Sequence, residues 1–346
     1  MLVTDSPARR ALRTMGVLRE EGGATWLELR TSGTVSTPRT VVRSLASWED
    51  SFDHVSRLTG TTSDDRVLVP APPSGSMFAF ANAHAAHAGA DVVHLPRWSV
   101  AQAEEALTTC TIAHLTPSML AALLDRDLGS LRTIVCAGAA LPEVTRRRVA
   151  SAGVEVVDYY GAAELSFVAM RTGGRVEAFP EVELELREGV VWARSPWLCD
   201  GYAPGQTGPL QRCRDGWATV GDRGHWDRDT GLVVTGRGDD AVTSGGATIL
   251  CADLEEAIRS LAAVGEVVVV GTPHPDLGEV VEAVVVAPSS LDLGELRSAT
   301  AALVAPAHLP RRWHRWDELP LTAAGKVDRS EVRRRLATAR AREAVT

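Results

Sequence analysis

Two stretches, Ile112-Ala113-His114-Leu115-Thr116-Pro117 and Thr133-Ile134-Val135-Cys136-Ala137-Gly138-Ala139-Ala140-Leu141-Pro142, carry the reading of the fold. Each begins as a short apolar run and ends in small or polar residues, with a stretch of helical length between them. A short apolar run bounded by turn signals reads as a buried strand, and strands alternating with helices imply a parallel sheet covered by helices. The same alternation extends outward to Val67–Val69 and Asp91–Leu95 on one side and Val154–Val157 on the other. Ligands of such sheets bind beyond the carboxyl ends of the strands. His114–Pro117, Ala137–Pro142 and Tyr159–Glu164 are therefore read as site and not scaffold.

Upstream, the strand Thr25–Leu29 runs into the hydroxyl-rich Arg30-Thr31-Ser32-Gly33-Thr34. From about residue 176 the texture changes to Val182–Leu186, Val190–Ala193, Trp217–Val220 and Leu232–Thr235, broken by Glu188-Gly189, Asp215-Gly216 and Thr230-Gly231. Those dipeptides are turn signals between antiparallel strands, so a small β-rich unit is expected there. Beyond Gly236–Asp240 come a helix over Asp253–Leu261, valine-rich strands at Val267–Val270 and Val280–Val286, another helix and a basic C-terminal helix. The expected class is α/β, with a core domain over residues 1–236 and a small α+β domain over 237–346.

With 346 residues, 45% hydrophobic and 23% charged, the chain has ordinary globular composition and length enough for two domains. A net charge of −8 opposes nucleic-acid binding, which depends on clustered positive charge. The five cysteines form no CxxC pair and are odd in number, so neither a disulfide framework nor a zinc ribbon is indicated. The N-terminus lacks a signal-peptide pattern, and no apolar run approaches the roughly 18 residues of a membrane span. A cytoplasmic protein without membrane or nucleic-acid partners is expected. One number stands out: of 36 basic residues a single one, Lys326, is lysine.

Four segments carry chemistry. Thr31–Arg39 packs five hydroxyls, one glycine and one cation into nine residues after a strand, which suits a loop wrapping a polyphosphate or, equally, a solvated turn. Tyr160-Gly161-Ala162-Ala163-Glu164 offers an aromatic for a base and a carboxylate for Mg²⁺. Gly221-Asp222-Arg223-Gly224 and Gly236-Arg237-Gly238-Asp239-Asp240 hold a carboxylate and an arginine suited to ribose hydroxyls, or serve as hairpin turns. In Leu319–Arg329, Asp328 with Glu331 resembles a capping box, which leaves Lys326 on a glycine-softened loop just before the last helix.

In order and spacing these segments resemble the core motifs of the adenylate-forming superfamily: a TSGTTGxPKG-like phosphate loop, YGxTE, GDxG, GRxDD followed by a glycine loop, and LPxTxxGKxDR. The short chain is most similar to compact o-succinylbenzoate-CoA ligase-type acyl-CoA synthetases of actinobacteria. The resemblance implies an AMP-forming acid–thiol ligase: a carboxylate attacks the α-phosphate of MgATP, and the thiol of CoA then displaces AMP. It places Thr31, Ser32, Gly33, Thr34 and Arg39 on the phosphates and Glu164 on Mg²⁺. Tyr160 and Gly161 would lie at adenine, Gly138, Ala139 and Ala140 along the adenine and acyl pocket, and Asp222 and Arg237 on the ribose. Asp239 would be the hinge of a mobile C-terminal lid, Ser244, Gly245 and Gly246 the CoA-side loop, and Lys326 the catalytic lysine. A carrier-protein phosphopantetheine as acceptor, a non-catalytic nucleotide- or acyl-binding homologue, and a homodimer are the alternatives carried with this reading.

The chain departs from the family pattern in three places. Ser36 and Arg39 stand where the phosphate loop usually has glycine and lysine, and Ala163 replaces the threonine of YGxTE. Only about 30 residues precede the phosphate loop, where the family has a large upstream region.

Overall fold

The computed structural model describes residues 5–21, 23–30, 39–73, 75–172, 174–237, 241–244, 247–261, 264–274 and 278–343. The chain divides into two compact units. The first is Met1–Val233 with Ala323–Lys326, and the second is Val234–Thr322 with Val327–Thr346.

The first unit opens with helix α1 (Pro7–Thr14) and strands β1 (Leu18–Glu21), β2 (Ala24–Arg30) and β3 (Thr40–Ser44). Ser6 caps α1 by accepting from the Arg9 amide, and Pro7 occupies the first turn, where a missing N–H costs nothing. These three strands pair antiparallel, and β3 also pairs with the short strand Gly201–Tyr202. After the short helices α2 (Ala46–Glu49) and α3 (Phe52–Thr59), the alternating part begins: β4 (Arg66–Val69), α4 (Ser76–Ala88), β5 (Asp91–His94), α5 (Val100–Leu107), β6 (Ile112–Leu115), α6 (Pro117–Leu123), β7 (Thr133–Ala137), α7 (Glu143–Ser151) and β8 (Glu155–Ala162).

Strands β5, β4, β6, β7 and β8 lie side by side in that order, all parallel, as the alternation implies. Every residue of β6 and β7 is buried, which explains why their sequences run apolar without alternating. Helix α4 is buried from Phe78 through Ala85 and is mostly alanine and phenylalanine there, with the buried Asn82 amide donating to the Phe78 carbonyl at 2.8 Å. One apolar core joins Leu68, Phe78, Leu107, Ile112, Leu115, Leu120, Ile134 and Val149. At β9 (Ser166–Thr172) the sheet turns antiparallel. Apart from Gly201–Tyr202, the short strands that follow, from Arg175–Ala178 to Gly231–Arg237, extend the sheet on its far side, giving thirteen strands among the described residues.

The second unit has five strands among its described residues: Ala241–Ser244, Ala247–Leu250, Glu266–His274, Gly278–Val286 and, parallel to the last of these, Arg312–Trp316. The valine run is buried on both faces by a period of two. Val267 and Val269 pack with Leu254, Ile258 and Leu296, whereas Val268 and Val270 pack with Leu319, Val332 and Leu336. The last helix, Arg329–Glu343, starts where the capping pattern puts it, with the Glu331 amide donating to Asp328 Oδ1 at 2.9 Å. Arg329 anchors that helix by donating to Glu255 Oε2 at 3.0 Å and to the Val269 carbonyl at 2.6 Å.

Glu282 is fully buried in this sheet and accepts from Thr272 Oγ1 (2.5 Å), Arg312 Nη1 (3.1 Å) and His314 Nε2 (2.8 Å), with Arg340 Nη1 at 3.2 Å. Burial alone would raise its pKa, but the His314 and Thr272 hydrogen bonds and the Arg340 charge outweigh burial and hold it at about 2. A depressed carboxylate pKa adds stability that is complete above the ordinary value and lost as pH falls through the folded one. Replacing Glu282 by Gln is therefore expected to cost about 3 kcal/mol at pH 7 in urea unfolding. The gap to wild type should close as the pH falls from about 4.5 toward 2; a gap that persists to pH 2 contradicts the assignment.

Candidate active site

The carboxyl ends of β6, β7 and β8 supply the candidate site. At the end of β6, Thr116 is extended and caps α6, its hydroxyl accepting from the Met119 amide at 3.3 Å. The same hydroxyl donates to the Gly325 carbonyl at 2.6 Å. Gly325 is buried with φ of +72°, and a methyl group there would overlap the Met119 thioether. Glycine thus serves the turn and the close approach at once.

At the end of β7, Gly138 has φ of +98°, and a Cβ built on it would come within 2.9 Å of Lys326 Cε. Gly138, Ala139 and Ala140 are exposed, while Lys326 is half-buried. The only lysine of the chain therefore packs its stem on the bare backbone at the end of a central strand. Two residues before Thr116, His114 is held at about 3 by burial and the neighbouring His84. It is neutral at pH 7, so it is not an imidazolium cation there.

At the end of β8, Tyr160 is half-buried and donates to Asp222 Oδ2 at 2.7 Å. Asp222 is buried at the start of the strand Asp222–Asp227. Two residues picked from separate motifs are thus joined directly. At Gly161 the β8–β9 register shifts, and a Cβ would overlap the Ser166 carbonyl, so the tight turn that follows requires glycine.

That turn carries Glu164, which is 4% exposed. Its Oε1 accepts from the Tyr202 hydroxyl at 2.9 Å, and the Tyr202 oxygen accepts from the Leu210 amide at 3.1 Å. Burial, then the Glu164 charge, push the Tyr202 hydroxyl above its usual pKa, so it stays protonated and remains a donor. Sequence reading passed over Tyr202, although it is one of three tyrosines in the chain and the other two, Tyr159 and Tyr160, end β8.

Arg39 lies just before β3 and is half-buried. Asp222 belongs to the first unit, whereas Arg237, which ends the strand Gly231–Arg237, and Ser244, which ends Ala241–Ser244, belong to the second. Thr31, Ser32, Gly33, Thr34, Asp239, Gly245 and Gly246 lie outside the described residues. Among the described residues no group of three or more His, Cys, Asp or Glu side chains could hold a metal, and no helix is long and apolar enough to cross a membrane.

This combination of a parallel sheet, a phosphate-loop sequence and a lysine loop at the strand ends defines an adenylate-forming class. The chain belongs to the AMP-binding enzyme family: the family profile matches residues 29–202, and that of the AMP-binding enzyme C-terminal domain matches residues 253–326. It is 28% identical over 331 residues to an uncharacterized acyl–CoA ligase, YhfT, of Bacillus subtilis, covering 88% of this chain and 67% of the relative. It is 26% identical over 326 residues to a 2-succinylbenzoate–CoA ligase of Bacillus licheniformis, covering 87% and 68%. The structure of a MenE variant from E. coli with bound OSB-AMS superposes with a TM-score of 0.77 at 25% identity, covering 89% of this chain and 68% of that one. The resemblance drawn from the motifs, including its o-succinylbenzoate-CoA ligase-type members, is borne out. The chain spans about two thirds of the length of these relatives.

The Thr116–Gly325 bond and the Gly325 packing generate a direct test. Gly325→Ala, which places a methyl against Met119, should speed amide exchange across Ala323–Lys326 by about tenfold. Unchanged exchange would show that the loop is held by something else.

Proposed function

We propose that this chain activates a carboxylic acid with ATP and transfers the acyl group to the thiol of CoA. In the first step a substrate carboxylate oxygen bonds to the α-phosphorus while the bond from that phosphorus to the bridging oxygen breaks, releasing pyrophosphate. In the second step the thiol sulfur bonds to the acyl carbon, AMP leaves, and the thiol proton passes to the medium. The observation that carries the reading is the packing of Lys326 on Gly138, which puts the chain's only ammonium at the strand ends.

Each residue then has a role that its surroundings support. Lys326 would neutralise charge developing on the carboxylate and α-phosphate oxygens, a preorganised electrostatic role. Tyr160 and Asp222, already hydrogen-bonded to each other, would hold the adenosine, with Arg237 on the ribose. Thr31, Ser32, Thr34 and Arg39 would hold the phosphates. Glu164 suits Mg²⁺, which binds few protein carboxylates and takes most of its ligands from phosphate and water. It is a single buried carboxylate fixed by a tyrosine. When bound, the metal would draw negative charge from the phosphate oxygens. Asp239 would serve as the hinge, and Ser244, Gly245 and Gly246 as the CoA-side loop.

The test is acid-dependent ATP–pyrophosphate exchange across a panel of carboxylic acids, followed by AMP release with CoA or a holo-carrier protein. Exchange with some acid, and thioester formed on CoA, are expected. Exchange with none would sink the reading, and thioester only on the carrier would replace CoA as acceptor. Lys326→Ala is expected to lower exchange by about 100-fold or more while leaving thioester formation from a supplied acyl-adenylate intact. Equal loss in both half-reactions would contradict the role given to Lys326.

A further inference from the structure

Arg43, on β3, is a fully buried arginine. Strand β3 alternates, turning Val41 and Arg43 inward and leaving Thr40, Val42 and Ser44 partly open. Tyr202 pairs across from Val41, so its side chain shares the face of the sheet that bears Arg43. One sheet face therefore presents a guanidinium and a phenol to the turn that carries Glu164.

Each nitrogen of the guanidinium donates one hydrogen bond. Its Nη1 donates to the Ala163 carbonyl at 3.2 Å, its Nη2 to the Trp197 carbonyl, and its Nε to Ser47 Oγ at 3.0 Å. Ser47 Oγ in turn donates to the Ser44 carbonyl at 2.7 Å. The two backbone acceptors flank Glu164: Ala163 precedes it in the chain, and Trp197 lies two residues before Cys199, whose amide donates to the Glu164 carbonyl at 2.9 Å. Arg43 also lies over the Trp48 ring at 5.5 Å. Burial lowers the Arg43 pKa to about 10, opposed by the Asp200 and Glu164 carboxylates, so the group is still a cation at pH 7. A buried cation is costly unless its donors are satisfied and an opposite charge is near. The segments that bracket one carboxylate supply two of the guanidinium's three acceptors and the nearby negative charge.

We propose that Arg43 is a positioning residue for Glu164, tying the Ala163 and Trp197 carbonyls together so that the carboxylate is held in place for the metal of MgATP. This rests on the reading of Glu164 as a Mg²⁺ ligand. A lysine would supply the charge from one atom and could not span three acceptors set apart in the plane of a guanidinium. Residues that orient a ligand change metal affinity without touching the metal.

The experiment is equilibrium ATP binding by calorimetry, with Mg²⁺ titrated and in EDTA, on wild type, Arg43→Met, Arg43→Lys and Glu164→Gln, alongside thermal unfolding of each. In Arg43→Met the Mg²⁺ concentration giving half of the metal-dependent gain in ATP affinity is expected to rise by about tenfold. Arg43→Lys should fall between that variant and wild type, and affinity in EDTA should stay within about twofold of wild type in both. Should Arg43→Met fail to fold, Arg43→Lys gives the same reading. An unmoved Mg²⁺ midpoint in a folded Arg43 variant overturns the proposal, as does an affinity in EDTA that falls in parallel. If wild type gains affinity from Mg²⁺ and Glu164→Gln removes the gain while the Arg43 variants keep it, Glu164 stands and Arg43 does not. Wild type that binds no nucleotide removes both.

Discussion

Burial of the parallel strands on both faces is the constraint from which the rest follows. Strands β6 and β7 are enclosed along their whole length, so the sheet interior has no place for solvated polar groups. Polar chemistry is confined to the strand ends, where the backbone leaves the ladder and its N–H and C=O groups become free for other partners. Thr116 and Gly138 are the residues at which β6 and β7 make that exit, and Tyr160 is the first residue of β8 beyond its parallel pairing with β7.

Close approach at those exits depends on missing side chains. Gly138 lets the Lys326 stem rest on the backbone, and Gly325 lets its loop reach the Thr116 hydroxyl. Gly161 permits the turn that buries Glu164. In each case the conformation or the contact excludes a methyl group, so these glycines are set by geometry and not by loop flexibility. The buried polar groups beside them are tied in the opposite way, by multiple hydrogen bonds: Glu164 by Tyr202, and the backbone around it by Arg43.

Much of this was legible in the sequence because its signals are local. Apolar runs separated by helical lengths gave the parallel strands, the Asp328–Glu331 spacing gave the start of the last helix, and turn dipeptides gave the antiparallel strands after Arg175. Helix α1 was missed although Ser6-Pro7 is a starting signal, because its arginines obscured the buried positions Ala8 and Leu12. Arg43 and Tyr202 were missed for a different reason. Their partners lie 120 and 38 residues away along the chain, and no periodicity marks an inward arginine or a tyrosine that will meet a distant carboxylate. Motif order singled out Tyr160 and Asp222 as separate residues, but their bond, 62 residues apart, is seen only in the structure. Residues 31–38, which hold all the hydroxyls by which the phosphate loop is read, lie outside the described residues.

In the proposed function, nucleotide binds across the carboxyl ends of β7 and β8 beside the lysine loop. Amide hydrogen exchange of the intact chain with and without MgATP tests it directly. Slowed exchange is expected at Gly138–Leu141, Tyr159–Glu164 and Ala323–Lys326, with the amino-terminal ends of the same strands unchanged. Binding that leaves those three segments unprotected, or that protects the opposite end of the sheet, would contradict it.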